Sequence, residues 1–145
     1  MVNESRIDIY DYLYNLLFGV VSENVYDMRV PTELTESDTT DGFLVIHVGS
    51  IVDESEFDGQ AYGRVRCFIE AFIPSVSRGR MNHDIYAMFE NSINQIIKEQ
   101  SETGDSQYYI EKDSLISADD IEGSDDNNSY FSFIKSFIVV IDKKE

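Results

Sequence analysis

The sequence predicts an α+β fold in which two helices pack on a mainly antiparallel sheet, in the order α-β-β-β-α-β-β. Two patterns and a length carry this expectation. Apolar residues recur at helical spacing over residues 5–21 and again over 81–100, whereas residues 62–73 alternate with period two. At 145 residues the chain is long enough to bury one core of ordinary size, and 1–145 reads as a single domain without repeat or linker.

The first helix is expected over residues 5–21. Ser5 has the form of an N-cap, with Asp8 favourably placed near the positive end of the helix dipole. Ile9, Tyr12, Leu13, Leu16, Leu17 and Val20 fall on one face. Residues 24–30 read as a short strand that Pro31 ends, and 32–42 as a polar loop. Residues 43–52 are apolar on both alternating faces, the pattern of a central strand covered on both sides. Asp53, Glu54, Glu56 and Asp58 mark an acidic hairpin loop over 53–59. In the following strand Val65, Cys67, Ile69, Ala71 and Ile73 face one way, and Tyr62, Arg64, Arg66, Phe68, Glu70 and Phe72 the other.

The second helix, residues 81–100, has Asn82 as its cap and an apolar stripe of Met81, Ile85, Met88, Phe89, Ile93, Ile96 and Ile97. A break around Gly104 leads to a strand over 108–116, an acidic loop over 119–129 and a long last strand over 130–141. Leu13, Leu17, Ile69, Ile85, Phe89 and Ile96 are the expected core. The last strand is apolar on both faces, with Phe131, Phe133, Phe137, Val139 and Ile141 on one and Tyr130, Ile134, Ile138 and Val140 on the other. Either it is sandwiched within the domain, or a second subunit covers its outer face.

Charge narrows the function. The chain has 28 Asp and Glu against 11 Lys and Arg, a formal net charge of -17. Such acidity opposes broad contact with a nucleic-acid backbone. The one basic cluster is Arg64, Arg66, Arg78 and Arg80, and between residues 62 and 83 the only acid is Glu70. These arginines are either ordinary surface charges or a patch that docks on the acidic loops of a neighbouring subunit, where complementarity fixes register and partner choice. Asp119, Asp120, Glu122, Asp125 and Asp126 crowd the second acidic loop. They read as a solvated loop, since their spacing does not match a helix-loop-helix calcium site.

Chemistry finds little support. There is no Gly-x-Ser-x-Gly elbow, no phosphate-cradling glycine pattern and no short-spaced Cys/His set for zinc. His47 reads as a satisfied core or edge histidine and His83 as solvated. No catalytic residue, cofactor or metal site is therefore expected. The single Cys67 excludes an internal disulfide, fits a reducing compartment and sits at an apolar strand position, as an inert core thiol. No apolar run approaches the roughly 20 residues needed to cross a bilayer, and residues 1–5 lack the features of a secretory signal.

Three segments then point to a family. They are the helix over 5–21, the strand Asn24-Val25-Tyr26-Asp27-Met28-Arg29-Val30-Pro31, and the strand from Ala61 to Pro74 leading into the helix that contains Asp84-Ile85-Tyr86. In this order, over nearly the full length, the chain resembles the phage tail-terminator and tail-completion (neck) proteins. The resemblance implies a small α+β subunit of a ring, hexameric or higher, at the neck or head-proximal end of a tail. That ring would cap or join the tail and let DNA pass without specific binding. Its other partners would be neck, tail or portal-side virion proteins, with assembly in the host cytoplasm and no membrane. The long acidic loop before the last strand departs from the family pattern. Two other readings of the residues stay open: an acidic soluble adaptor or chaperone for a basic protein, and a small metal-dependent enzyme with an acidic site.

Overall fold

The computed structural model describes residues 2–57, 60–77, 80–104, 107–120 and 130–143. Among them are helices α1 (Val2–Leu17), α2 (Glu36–Asp41) and α3 (His83–Glu102). The strands are β1 (Val25–Asp27), β2 (Phe43–Phe57), β3 (Gln60–Ser77), β4 (Arg80–Met81), β5 (Tyr108–Ile110), β6 (Ile116–Asp120) and β7 (Tyr130–Lys143). The expected α+β architecture and element order hold, with α2, β4 and β6 added as short elements.

The sheet runs β1-β2-β3-β7-β5, with β6 on the same edge of β7 as β5 and β4 on β3. Only β1 and β2 run parallel; every other pair is antiparallel. β3 is the spine. It pairs with β2 from Phe72 back to Gln60, and with β7 from Ala61 opposite Lys143 to Pro74 opposite Tyr130. Alternation decides its two faces. Val65, Cys67, Ile69, Ala71 and Ile73 are buried, and Arg64, Arg66, Phe68, Glu70 and Phe72 are half-buried.

The main core lies between one sheet face and the two long helices. Ile9, Leu13 and Leu17 of α1 and Phe89, Ile93 and Ile97 of α3 meet Leu44, Ile46, Cys67, Ile69, Phe133 and Phe137. The expected core holds for Leu13, Leu17, Ile69 and Phe89, but Ile85 and Ile96 are only partly buried at the flank of the α3 stripe. α3 is capped as expected, the Asn82 side chain accepting from the Ile85 N–H at 3.2 Å.

Other expectations need correction. Ser5 lies inside α1, which starts at Val2. Val20 is exposed because the helix stops at Leu17 and Gly19 turns the chain at φ +78°. The segment 32–42 is not all loop, because α2 forms within it on a capping box. The Asp38 N–H donates to Thr35 Oγ1 at 3.1 Å, and the Thr35 N–H donates to Asp38 Oδ2 at 2.8 Å. The acidic hairpin loop over 53–59 is instead mostly strand, since β2 continues through Phe57. The second acidic loop begins later than expected, because β6 takes in Asp119 and Asp120.

Candidate assembly surface

Among the described residues no long helix covers the second face of the sheet, and that face receives the basic pair of β3. Arg64 and Arg66 stand opposite Val140 and Ile138 in the β3–β7 register. Those two β7 residues are buried, as are Phe43 and Val45 of β2, though none of the four belongs to the helix-covered core. Arg64 and Arg66 are the direct cross-strand neighbours of Val140 and Ile138 only; Phe43 and Val45 stand opposite Phe72 and Glu70, further along β3. The outer face of β7 is thus in good part buried within one chain, and Ile134 stays half-buried. Phe43 stacks on Phe72 at 4.6 Å between ring centroids, and His47 stacks on Phe68 at 4.2 Å.

The two arginines differ in what their heads do. Arg64 forms a bidentate ion pair with Glu111 of the same chain, Nε donating to Oε1 at 3.0 Å and Nη2 to Oε2 at 2.8 Å. Arg66 donates to Ser136 Oγ at 3.1 Å. Arg80 is exposed at the far end of the same strand line, where it pairs in register with Ser77. Eleven residues of strand separate the Arg66 and Ser77 positions, roughly 36 Å of chain at strand rise. The basic cluster of the sequence is therefore divided into a half-buried pair on the sheet face and an end piece on the β3–β4 hairpin. Arg78 lies outside the described residues.

The acids divide in the same way. Backbone register sets Asp53 opposite Arg64, Glu54 opposite Gly63 and Glu56 opposite Ala61 in the β2–β3 ladder. Asp119 and Asp120 stand opposite Phe133 and Ser132 in the β6–β7 ladder. Asp58, Glu122, Asp125 and Asp126 lie outside the described residues.

Three features escaped the sequence reading. The first is a second stripe on α1. Ile7, Tyr10, Tyr14 and Phe18 recur at spacings of three and four, beside the core stripe rather than within it. Ile7 is 62% and Phe18 45% exposed. Tyr10 and Tyr14 are partly buried, with ring centroids 5.8 Å apart, and Tyr14 stacks on Phe18 at 5.1 Å. Burial, then the charges of Asp27, Tyr14 and Asp11, raises the Tyr10 phenol above its ordinary pKa. Acids therefore flank the stripe. The helical spacing was the available signal.

The second feature is Asp38, a fully buried residue in the first turn of α2. The Tyr26 hydroxyl donates to it at 2.7 and 2.8 Å. Burial, the hydrogen bond and the carboxylate charge push the Tyr26 phenol up to about 12. The third is Lys135, 3% exposed on the core face of β7, which donates to Glu90 Oε2 at 3.1 Å and Ser117 Oγ at 2.9 Å.

His47 Nε2 sits 3.4 Å from Glu70 Oε1, yet it is buried without a hydrogen bond, so this histidine is stacked rather than satisfied. His83 is exposed at the start of α3. Among the described residues no three His, Cys, Asp or Glu side chains are grouped to hold a metal ion. Nor is any helix among them long and apolar enough to cross a membrane. An open cleft of about 260 Å³ between the α1–β1 turn, α2 and α3 is lined by Val21, Asn24, Ser37, Asp41, Met88 and Phe89.

Neither a protein-family model nor a curated protein matches this sequence. The fold has a solved counterpart. A chain of the virion of a native gene transfer agent (GTA) particle superposes with a TM-score of 0.53 at 8% identity, over 92% of this chain and 93% of that one. At that identity the likeness is one of fold, and it spans both chains almost end to end.

Proposed function

We propose that this protein is a structural subunit of a phage-type virion, one copy of a ring at the neck or head-proximal end of a tail. The ring caps or joins the tail and lets DNA pass. The observation that carries this reading is the near end-to-end fold likeness to a chain of a gene transfer agent virion, 92% of one chain against 93% of the other. The tail-terminator texture of the sequence points the same way. So does the chemistry of the surface, where Arg64 is held in a bidentate pair with Glu111 of its own chain.

In this reading Arg66 and Arg80 lie at or near subunit contacts, whereas Arg64 holds the subunit's own Glu111. At least one acidic segment, 53–58 or 119–126, faces the central channel or the basic residues of the next copy. A channel of like charge repels the DNA backbone and keeps it from adhering during transit.

Native mass spectrometry of the purified chain, with electron microscopy of the same sample, tests the proposal. A closed ring with one dominant copy number, six or more by the family resemblance, is the expected result. A chain that stays monomeric at every concentration, or that binds duplex DNA tightly at moderate salt, overturns it.

A further inference from the structure

The α1 stripe and the β3–β4 hairpin have opposite character. The stripe exposes Ile7 and Phe18 at either end of a tyrosine pair, with Asp11 and Asp27 beside it. The hairpin lies beyond the main sheet. β3 leaves β2 after Phe72 and β7 after Pro74, and from Ser75 to Ser77 its partner is β4. On this arm Val76 is 63% exposed, and exposed Arg80 follows within a few residues. One surface is apolar with an acidic rim, and the other is an apolar knob with a guanidinium. In a chain of net charge -17 exposed arginines beside exposed apolar side chains are few, Arg80 with Val76 and Arg29 with Met28 and Val30 among them, and Ile7 and Phe18 leave apolar area open on α1.

We propose that the β3–β4 hairpin of one copy, through Val76 and Arg80, seats on the Ile7–Tyr10–Tyr14–Phe18 stripe of the next copy. The occupant is a second copy of this chain, chosen by charge complementarity between the two patches. Two different patches on one subunit make a head-to-tail contact, and repetition of such a contact closes a ring when the rotation allows. Tyr10 and Tyr14 supply rigid amphipathic area for Val76, and the Arg80 guanidinium reaches the carboxylates of Asp11 and Asp27. This inference rests on the ring reading above and specifies which surfaces make its contact.

The test is a reciprocal charge exchange followed by native mass spectrometry and sedimentation velocity, with circular dichroism to confirm folding. Arg80→Glu alone, and Asp11→Arg with Asp27→Arg alone, each weaken association by about tenfold or more. Combining the two sets restores most of the loss, because the pairing is re-formed with its signs exchanged. Ile7→Glu and Val76→Asp, both at exposed positions, give the same loss without the rescue. If one of these variants fails to fold, the charge exchange decides alone.

Wild-type rings with unchanged association in Arg80→Glu, or with no recovery in the combined variant, overturn this inference and leave the ring reading intact. A wild type that never associates overturns both. Wild-type rings whose stripe instead captures a foreign basic peptide, with Arg80→Glu indifferent, also overturn it.

Discussion

Asp38 offers the sharpest test of the fold, because one side chain holds three things together: the β1 strand through Tyr26, the start of α2 through Thr35, and its own place in the interior. Replacing it by Ala removes the acceptor for the Tyr26 hydroxyl and for the Thr35 N–H. A hydrogen bond to a charged acceptor contributes about 1.5–3 kcal/mol net, and a capping interaction about 1 kcal/mol. The expected loss for Asp38→Ala is therefore about 3 kcal/mol. With an unfolding entropy typical of this chain length, that lowers the midpoint by on the order of 10 °C. Asp38→Asn retains one acceptor oxygen and loses about half as much. Tyr26→Phe strips one donor from a fully buried carboxylate and costs about 1.5–3 kcal/mol.

The pH dependence gives this network an independent signature. The Tyr26 phenol is raised above its unfolded value of 10.0 to about 12 in the folded chain. Its contribution is thus fully present below pH 10 and is lost as pH rises through the folded value. Urea titrations at successive pH values should show a fall in stability through this window for the wild type. That component should be absent from Tyr26→Phe. If Asp38→Ala melts within 2 °C of the wild type, roughly half a kcal/mol, or if Tyr26→Phe keeps the alkaline fall undiminished, beyond what the raised Tyr10 phenol supplies in both proteins, the network does not act as described.

Four further outcomes follow from the packing. Arg64→Glu sets two carboxylates against each other at Glu111 and lowers stability by about 1–2 kcal/mol, read by chemical denaturation, so reversal at this site is not neutral for folding. Glu90→Gln leaves the Lys135 ammonium buried with Ser117 and costs about 1–3 kcal/mol, whereas Lys135→Met stays within about 1 kcal/mol of the wild type in the same assay. Gly42→Ala places a Cβ 2.6 Å from the Phe72 carbonyl oxygen at φ +81°, while Gly19→Ala meets nothing at φ +78°; the first should cost at least about 2 kcal/mol more in thermal melts. Cys67, fully buried, should react with a thiol reagent only as fast as the chain unfolds, so prompt labelling in native buffer refutes its placement.

How much was legible in the sequence follows period and charge. The β3 alternation and the α3 stripe were readable because burial on one face imposes a repeat on the chain, and Asn82 announced its cap. α2 was missed because Glu36-Ser37-Asp38-Thr39-Thr40-Asp41 has no apolar repeat. Its signal was the capping box from Thr35 to Asp38, which is local chemistry rather than hydrophobicity. Lys135 broke the apolar alternation of β7, and no sequence pattern says that Glu90, forty-five positions earlier, turns to meet it. The arginines cluster in sequence, but an extended strand carries neighbours in sequence far apart in space. The side-chain pairing assigns Arg64 to Glu111, and the strand register assigns Arg80 to the other end of β3.

The pairing of β3 with β7 governs when this chain can fold. Ala61 meets Lys143 and Pro74 meets Tyr130, so the spine of the sheet waits for a strand made long after it. Until residues 130–143 have left the ribosome, the β2–β3 hairpin keeps one hydrogen-bonding edge open and its apolar face without Phe133, Phe137 and Val139. Contacts this distant in sequence slow folding, and an open apolar strand edge invites association with other chains. A ribosome-stalled nascent chain ending before Tyr130 should thus expose the hairpin to chaperones and proteases. Insertion of β7 closes the edge in one late step.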